Sequence, residues 1–197
     1  LTACTTLKTA GVTPIALGAR DRWPAQFWFD LLLLRTAPAE FRHDLLTGAA
    51  RFDDPRVLAT FARWKTLIDT GCFNSTPHPN DLAWDSGANE MVFRGEAAMT
   101  LMGTWTIGHF ENPEHQWIAG KDYDFFPFPV IDRNIPLAAL GVIDGLIMPK
   151  RGANPAGAKA ALLHMAQIDS QKTFSRGSGA LAPNIQVEDS FYSDIQR

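Results

Sequence analysis

Short apolar runs alternate along this chain with helical segments that proline opens and glycine closes. That alternation restricts the fold more than any other feature. Proline costs nothing in a first helical turn, where its missing N–H has no partner to lose, and glycine ends a helix by accepting left-handed backbone. Trp23-Pro24, Asp54-Pro55 and Asn154-Pro155 are openings of this kind, and Gly11, Gly71, Gly95 and Gly177 are stops. The pattern predicts a helix over 1–10 and one from Trp23 through Leu34. Another follows Pro55, with Val57, Leu58, Phe61, Trp64 and Ile68 on one face. Further helices are expected over 82–94, after Thr104, after Asn154, and after a capping Ser170. The segment holding Phe27-Trp28-Phe29 and Leu31 to Leu34 is apolar all round, as a central core helix must be. Val12–Gly18, Ala97–Met102, Tyr123–Pro129 and Val142–Pro149 read as short strands, the third held to an edge or an ending by its prolines. Helices with long returns between few strands indicate an α/β or α+β domain. With no repeat and no low-complexity linker, one domain over 1–197 is expected.

Of the 197 residues, 46% are hydrophobic and 20% charged, enough for a real core and too apolar for a disordered chain. No stretch approaches the ~20 apolar residues of a membrane-spanning helix. The net charge of −3 comes without a basic run, which disfavours nucleic acid and anionic lipid as partners. The chain opens at Leu1 inside what reads as a helix, with no leader ahead of it, as a fragment or processed product would. Cys4 and Cys72 are expected as two buried free thiols; a disulfide between them needs a geometry that no sequence shows.

Catalytic signatures are thin. There is no nucleophile elbow, no phosphate loop, no Cys-x-x-Cys and no His-Glu-x-x-His. His109 and His115, with Glu111 and Glu114 between them, match no zinc spacing and read as an exposed polar loop around Asn112-Pro113. Gly177-Ser178-Gly179 lacks both the third glycine and the preceding strand of a dinucleotide site. Asn74-Ser75-Thr76 is a glycosylation tripeptide of a kind common by chance. No metal and no cofactor are expected.

The tryptophans say more. Trp28 and Trp64 lie in apolar helical patterns and read as core. Trp84 has polar neighbours in Asp81-Leu82-Ala83-Trp84-Asp85, Trp105 follows a strand and a Gly103-Thr104 turn, and Trp23 sits in the polar run 19–24. Indoles at strand-to-helix junctions face the crevice where open α/β folds bind ligands. A flat ring beside carboxylates suits a sugar, whose C–H face stacks while its hydroxyls take hydrogen bonds. Loop anchoring is the plainer explanation of the same residues.

Several segments, in order, carry a family resemblance. They are Leu7-Lys8-Thr9-Ala10-Gly11-Val12-Thr13-Pro14-Ile15-Ala16-Leu17-Gly18, then Phe52-Asp53-Asp54-Pro55-Arg56-Val57, Trp64-Lys65 and Phe93-Arg94-Gly95-Glu96-Ala97-Ala98-Met99. Gly103-Thr104-Trp105, Phe126-Pro127-Phe128-Pro129 and Arg176-Gly177-Ser178-Gly179-Ala180-Leu181-Ala182-Pro183 complete the set. Together they resemble the extracellular solute-binding proteins of carbohydrate ABC importers, most of all the glucose/mannose type.

The resemblance implies a periplasmic-binding-protein-like (type II) fold, of which this chain is the carboxyl-terminal lobe: a short mixed sheet surrounded by helices. It implies a sugar of the hexose class held by Trp84 and Trp105 on the ring faces. Asp144 and Arg176 would bind hydroxyls, Arg176 standing where the family often has Lys, and Trp23 would lie near the cleft. It further implies no enzymatic activity, a missing amino-terminal lobe, an ABC permease as partner of the complete protein, and a periplasmic or extracellular location with a lipid anchor as one option. Two alternatives stay open on the residues: a glycoside-acting enzyme using a carboxylate pair such as Asp85 and Asp144, and a free-standing interaction domain. Loss of the other lobe would leave Phe125, Phe126 and Phe128 as candidates for self-association.

Overall fold

The computed structural model describes residues 1–197, which form two compact units where the sequence reading expects one domain. The first unit comprises Leu1–Met102 with Phe126–Leu140, and the second Gly103–Phe125 with Gly141–Arg197.

In the first unit, α1 (Thr2–Thr9) ends before Gly11, whose φ of +76° requires the left-handed backbone glycine supplies. β1 (Thr13–Ala16) follows, then α2 (Trp23–Leu34), α3 (Ala39–Thr47) and α4 (Pro55–Asp69). A π-helical turn over Trp84–Asn89 runs into α5 (Glu90–Phe93), and β2 (Ala97–Thr100) pairs parallel with β1, Ile15 opposite Met99. A third extended segment flanks β1, where the Ile15 N–H donates to the Cys72 carbonyl at 3.0 Å. Two further groups complete that edge. The Leu17 N–H donates to Asn74 Oδ1 (2.8 Å), and Asn74 Nδ2 donates to the Pro77 carbonyl (2.7 Å). Asn74 is buried and fully occupied as a backbone clamp, which explains the residue without glycosylation.

The core gathers Ile15, Leu17, Trp28 and both cysteines, with Trp64, Leu67 and Phe128 packed against it. Trp28 stands edge-on to Phe73 (4.9 Å) and Phe128 (5.8 Å). Cys4 and Cys72 are joined in a disulfide across Cα atoms 5.3 Å apart, which corrects the expectation of free thiols. A second cluster, Leu33, Phe41, Leu45 and Val57, lies under α2, α3 and α4. Beside it, Asp30 is buried and held by both arms of Arg42, at 2.9 and 3.0 Å.

α4 begins as its sequence dictates, with Asp54 accepting from the Arg56 N–H at 2.9 Å. Its buried face matches the expected one only at Val57 and Trp64. Val57, Thr60, Trp64 and Leu67 turn inward, whereas Leu58, Phe61 and Ile68 are exposed. Thr60 tolerates full burial because its hydroxyl donates to the Arg56 carbonyl (2.8 Å).

In the second unit, α6 (Trp105–Phe110) and α7 (Pro155–Met165) both pack on α8 (Ile168–Ser178). Asn154 caps α7 through the Gly157 N–H (2.9 Å). Two expected boundaries move. α8 starts after Gln167, with no cap from Ser170, and ends at Gly179 (φ +73°) rather than at Gly177. Gly179 also lies so close to α6 that a Cβ there would stand 2.6 Å from the Gly108 nitrogen.

The strands expected over Tyr123–Pro129 and Val142–Pro149 do not form. Residues 141–150 lie outside any helix or strand and are exposed throughout, Ile143 at 89% and Ile147 at 85%. Phe125 and Phe126 are exposed as well, whereas Phe128 packs inward. No helix is long and apolar enough to cross a membrane.

Candidate functional site

Beyond the carboxyl end of β1 the first unit brings Trp23, Phe27 and Trp84 together. Past Ala16 the chain is pinned residue by residue. The Ala19 N–H donates to the Pro79 carbonyl (2.8 Å) and the Arg20 N–H to the Leu82 carbonyl (3.1 Å). Gly18 permits that approach, since a Cβ there would lie 2.8 Å from Trp84 Cα and still closer to the Ala83 carbonyl. Arg22 takes left-handed backbone (φ +67°) and delivers Trp23 to the start of α2.

The consequence is an aromatic row. Trp23 meets Trp84 edge-on at 5.5 Å and 64°, and Phe27 meets Trp23 at 5.5 Å and 70°. All three rings are half-buried. Trp84 opens the π-helical turn, a local irregularity frequent at functional sites. Asp85 follows it, one carboxylate oxygen accepting from the Ser86 N–H at 2.6 Å and from its hydroxyl at 3.2 Å. The row therefore offers indole and phenyl surface, and the carboxylate that follows Trp84 in the chain is oriented by Ser86, chemistry suited to a ligand with both C–H faces and hydroxyls. Sequence reading identified Trp23 and Trp84 separately and missed Phe27. The signal was the four-residue spacing from Trp23, which places both on one side of a helix.

Trp105, Asp144 and Arg176 belong to the second unit. Trp105 begins α6 half-buried, its six-membered ring laid against Gly103, where a Cβ would stand 2.7 Å from Cε3. Asp144 is exposed in the irregular segment 141–150. Arg176, in the last turn of α8, carries its guanidinium 4.8 Å from the centre of the Phe191 ring, with Lys172 at 5.6 Å from the same ring. In this unit the Tyr123 hydroxyl donates to Glu111 at 2.6 Å, and burial together with that carboxylate pushes the phenol upward.

Comparison with known proteins agrees with this architecture. The chain is 31% identical, over 97% of its length, to an uncharacterized ABC transporter extracellular-binding protein of Pyrococcus horikoshii, and spans 40% of that relative. Among solved structures it superposes on a chitin oligosaccharide binding protein with a TM-score of 0.76 at 22% identity. It superposes on the bacterial solute receptor AcbH, described as exclusive for β-D-galactopyranose, with 0.73 at 23%. Both superpositions cover 99% of this chain and about half of the neighbour (49% and 48%), and at such identity they establish the fold. These relatives and neighbours are solute-binding receptors, not enzymes, which removes the glycoside-acting alternative. Residues 1–172 match the bacterial extracellular solute-binding protein family, and the chain belongs to it.

Proposed function

We propose that this chain is the carboxyl-terminal lobe of a sugar-binding receptor that serves an ABC importer, with a hexose-class unit held against the aromatic row of Trp23, Trp84 and Phe27. The observation that carries the reading is the Trp23–Trp84 pair itself: two half-buried indoles in contact beyond the carboxyl end of β1, with Asp85 next to Trp84 in the chain. In the second unit, Trp105 is assigned to sugar stacking and Asp144 and Arg176 to hydroxyls, as the family resemblance implies. Both named structural neighbours bind saccharides, which supports the substrate class. The amino-terminal lobe would supply the rest of the site, and the closed receptor would be read by the membrane permease. A disulfide and an extracellular family both fit a periplasmic or extracellular location.

The test follows indole N–H resonances by NMR during titration with galactose, glucose, and chitin and xylan oligosaccharides. The expected result is shifts of the Trp23, Trp84 and Trp105 signals at sugar concentrations on the order of millimolar, because losing ~4 kcal/mol of contacts with the other lobe weakens binding about a thousandfold. Trp84→Ala should weaken the response roughly fivefold, as expected for one aromatic contact worth about 1 kcal/mol. Unmoved indole signals with every sugar would overturn the proposal. Micromolar saturation would refute the contribution assigned to a second lobe.

A further inference from the structure

We propose that His109 and His115 form a chelating pair for a borderline divalent transition ion such as Zn²⁺, Ni²⁺ or Co²⁺, a site separate from the sugar-binding residues. The sequence spacing reads as a loop, and the fold converts that loop into a clasp. Asn112 is its pivot. Nδ2 donates to the His109 carbonyl (2.8 Å), and Oδ1 accepts from the Glu114 and His115 N–H groups (2.8 and 2.9 Å). The Gln116 N–H closes the turn on the Asn112 carbonyl (2.8 Å), with Gln116 itself in left-handed backbone at φ +54°. The turn folds His115 back over the end of α6, where its imidazole stands 4.9 Å from that of His109.

Two features make the pair ligand-like. First, His115 Nδ1 lies 3.0 Å from the His109 carbonyl oxygen, an acceptor, so Nδ1 is the donor there and the neutral ring keeps its lone pair on Nε2. Metal-binding histidines are fixed in this way by a backbone carbonyl on the second nitrogen. Second, nitrogens from the two rings lie within 4.8 Å of one another. A tetrahedral ion at about 2.0–2.1 Å from each nitrogen needs them about 3.4 Å apart, which small side-chain rotations supply. Both rings are half-buried, and His109 rests edge-on against buried Phe110 (5.8 Å). Imidazole donors select borderline transition ions over Mg²⁺ and Ca²⁺, which prefer oxygen. Water would complete the coordination left open by two protein ligands.

The experiment uses the untagged chain, titrated with Zn²⁺ and followed through long-range imidazole ¹H–¹⁵N spectra. His43, His78 and His164 serve as internal references. We expect one equivalent of Zn²⁺ to move the His109 and His115 signals together and leave the other three in place. His115→Ala and His109→Ala should each weaken Zn²⁺ binding at least tenfold, and His78→Ala should leave it unchanged. Perturbation of His43, His78 or His164 in preference, no shift at any histidine, or affinity of His115→Ala within twofold of the parent would each overturn the assignment. The wild-type spectra decide the matter even where a variant fails to fold.

Discussion

Removing the disulfide by Cys4→Ala with Cys72→Ala should lower stability by about 4 kcal/mol. The bridge closes a loop of 68 residues that contains β1, α2, α3 and α4, so its loss returns a large closure entropy to the unfolded chain. In the chain-entropy account that restriction is worth ~4 kcal/mol at this loop length. At about 2–4 °C per kcal/mol for a chain of this size, the melting temperature should fall by roughly 8–16 °C. The buried position adds a kinetic consequence. Cys72 is fully buried and Cys4 nearly so, so a reductant reaches the bond only when α1 or the segment after α4 opens. The assay is paired: calorimetric melting of parent and double variant, with mass spectrometry after alkylation of the unreduced protein. Melting temperatures within about 2 °C of each other would refute the entropic reasoning. Two alkylated thiols in the unreduced parent would refute the bridge.

Arg42→Met should destabilise the chain by about 3–5 kcal/mol in urea unfolding, because it strands the buried Asp30 carboxylate; a loss under about 1 kcal/mol would contradict the pairing. Gly18→Ala should lower the melting temperature and shift the Trp84 indole signal, since its Cβ meets the backbone of Ala83 and Trp84 rather than a movable side chain; an unchanged signal would refute that clash. The hydrogen bond from Arg56 holds the Asp54 carboxyl at about 2, below its unfolded value, so its contribution is present above about pH 4 and lost as pH falls toward 2. The melting-temperature gap between parent and Asp54→Ala should therefore narrow over that interval, and a gap constant in pH would contradict it. Light scattering should show concentration-dependent association through the exposed apolar residues of 142–148 and Phe125–Phe126, and a strictly monomeric species at high concentration would refute it.

What the sequence made legible was local. Asp54-Pro55, Asn154-Pro155 and the left-handed Gly11, Gly71 and Gly95 fix helix ends within a few residues, through contacts a short window contains. The failures each needed a distant partner. Val142–Pro149 has strand composition, but a strand exists only when another chain segment supplies its ladder. The cysteines are separated by 68 positions and by 5.3 Å between Cα atoms, and only the second number decides whether they bond. On α4 the apolar residues cover a wider arc than α2 and the core can occupy, so Val57, Trp64 and Leu67 are taken and Leu58, Phe61 and Ile68 are left out. The site divides in the same way. Polar surroundings marked Trp23 and Trp84 individually, whereas their meeting depends on the close approach of Gly18 to residues 83–84.

Proteases bind substrates as extended strands, and the segment 141–150, outside every helix and strand and exposed at every residue, is free to take that form. It needs no local unfolding before entering a protease cleft, unlike the helices on either side. Chymotrypsin should cut first after Leu146, and trypsin after Lys150 or Arg151. Both would release a carboxyl-terminal piece carrying α7 and α8 intact. The order in which peptides appear would thus report which stretch of this chain has no structure of its own to protect it.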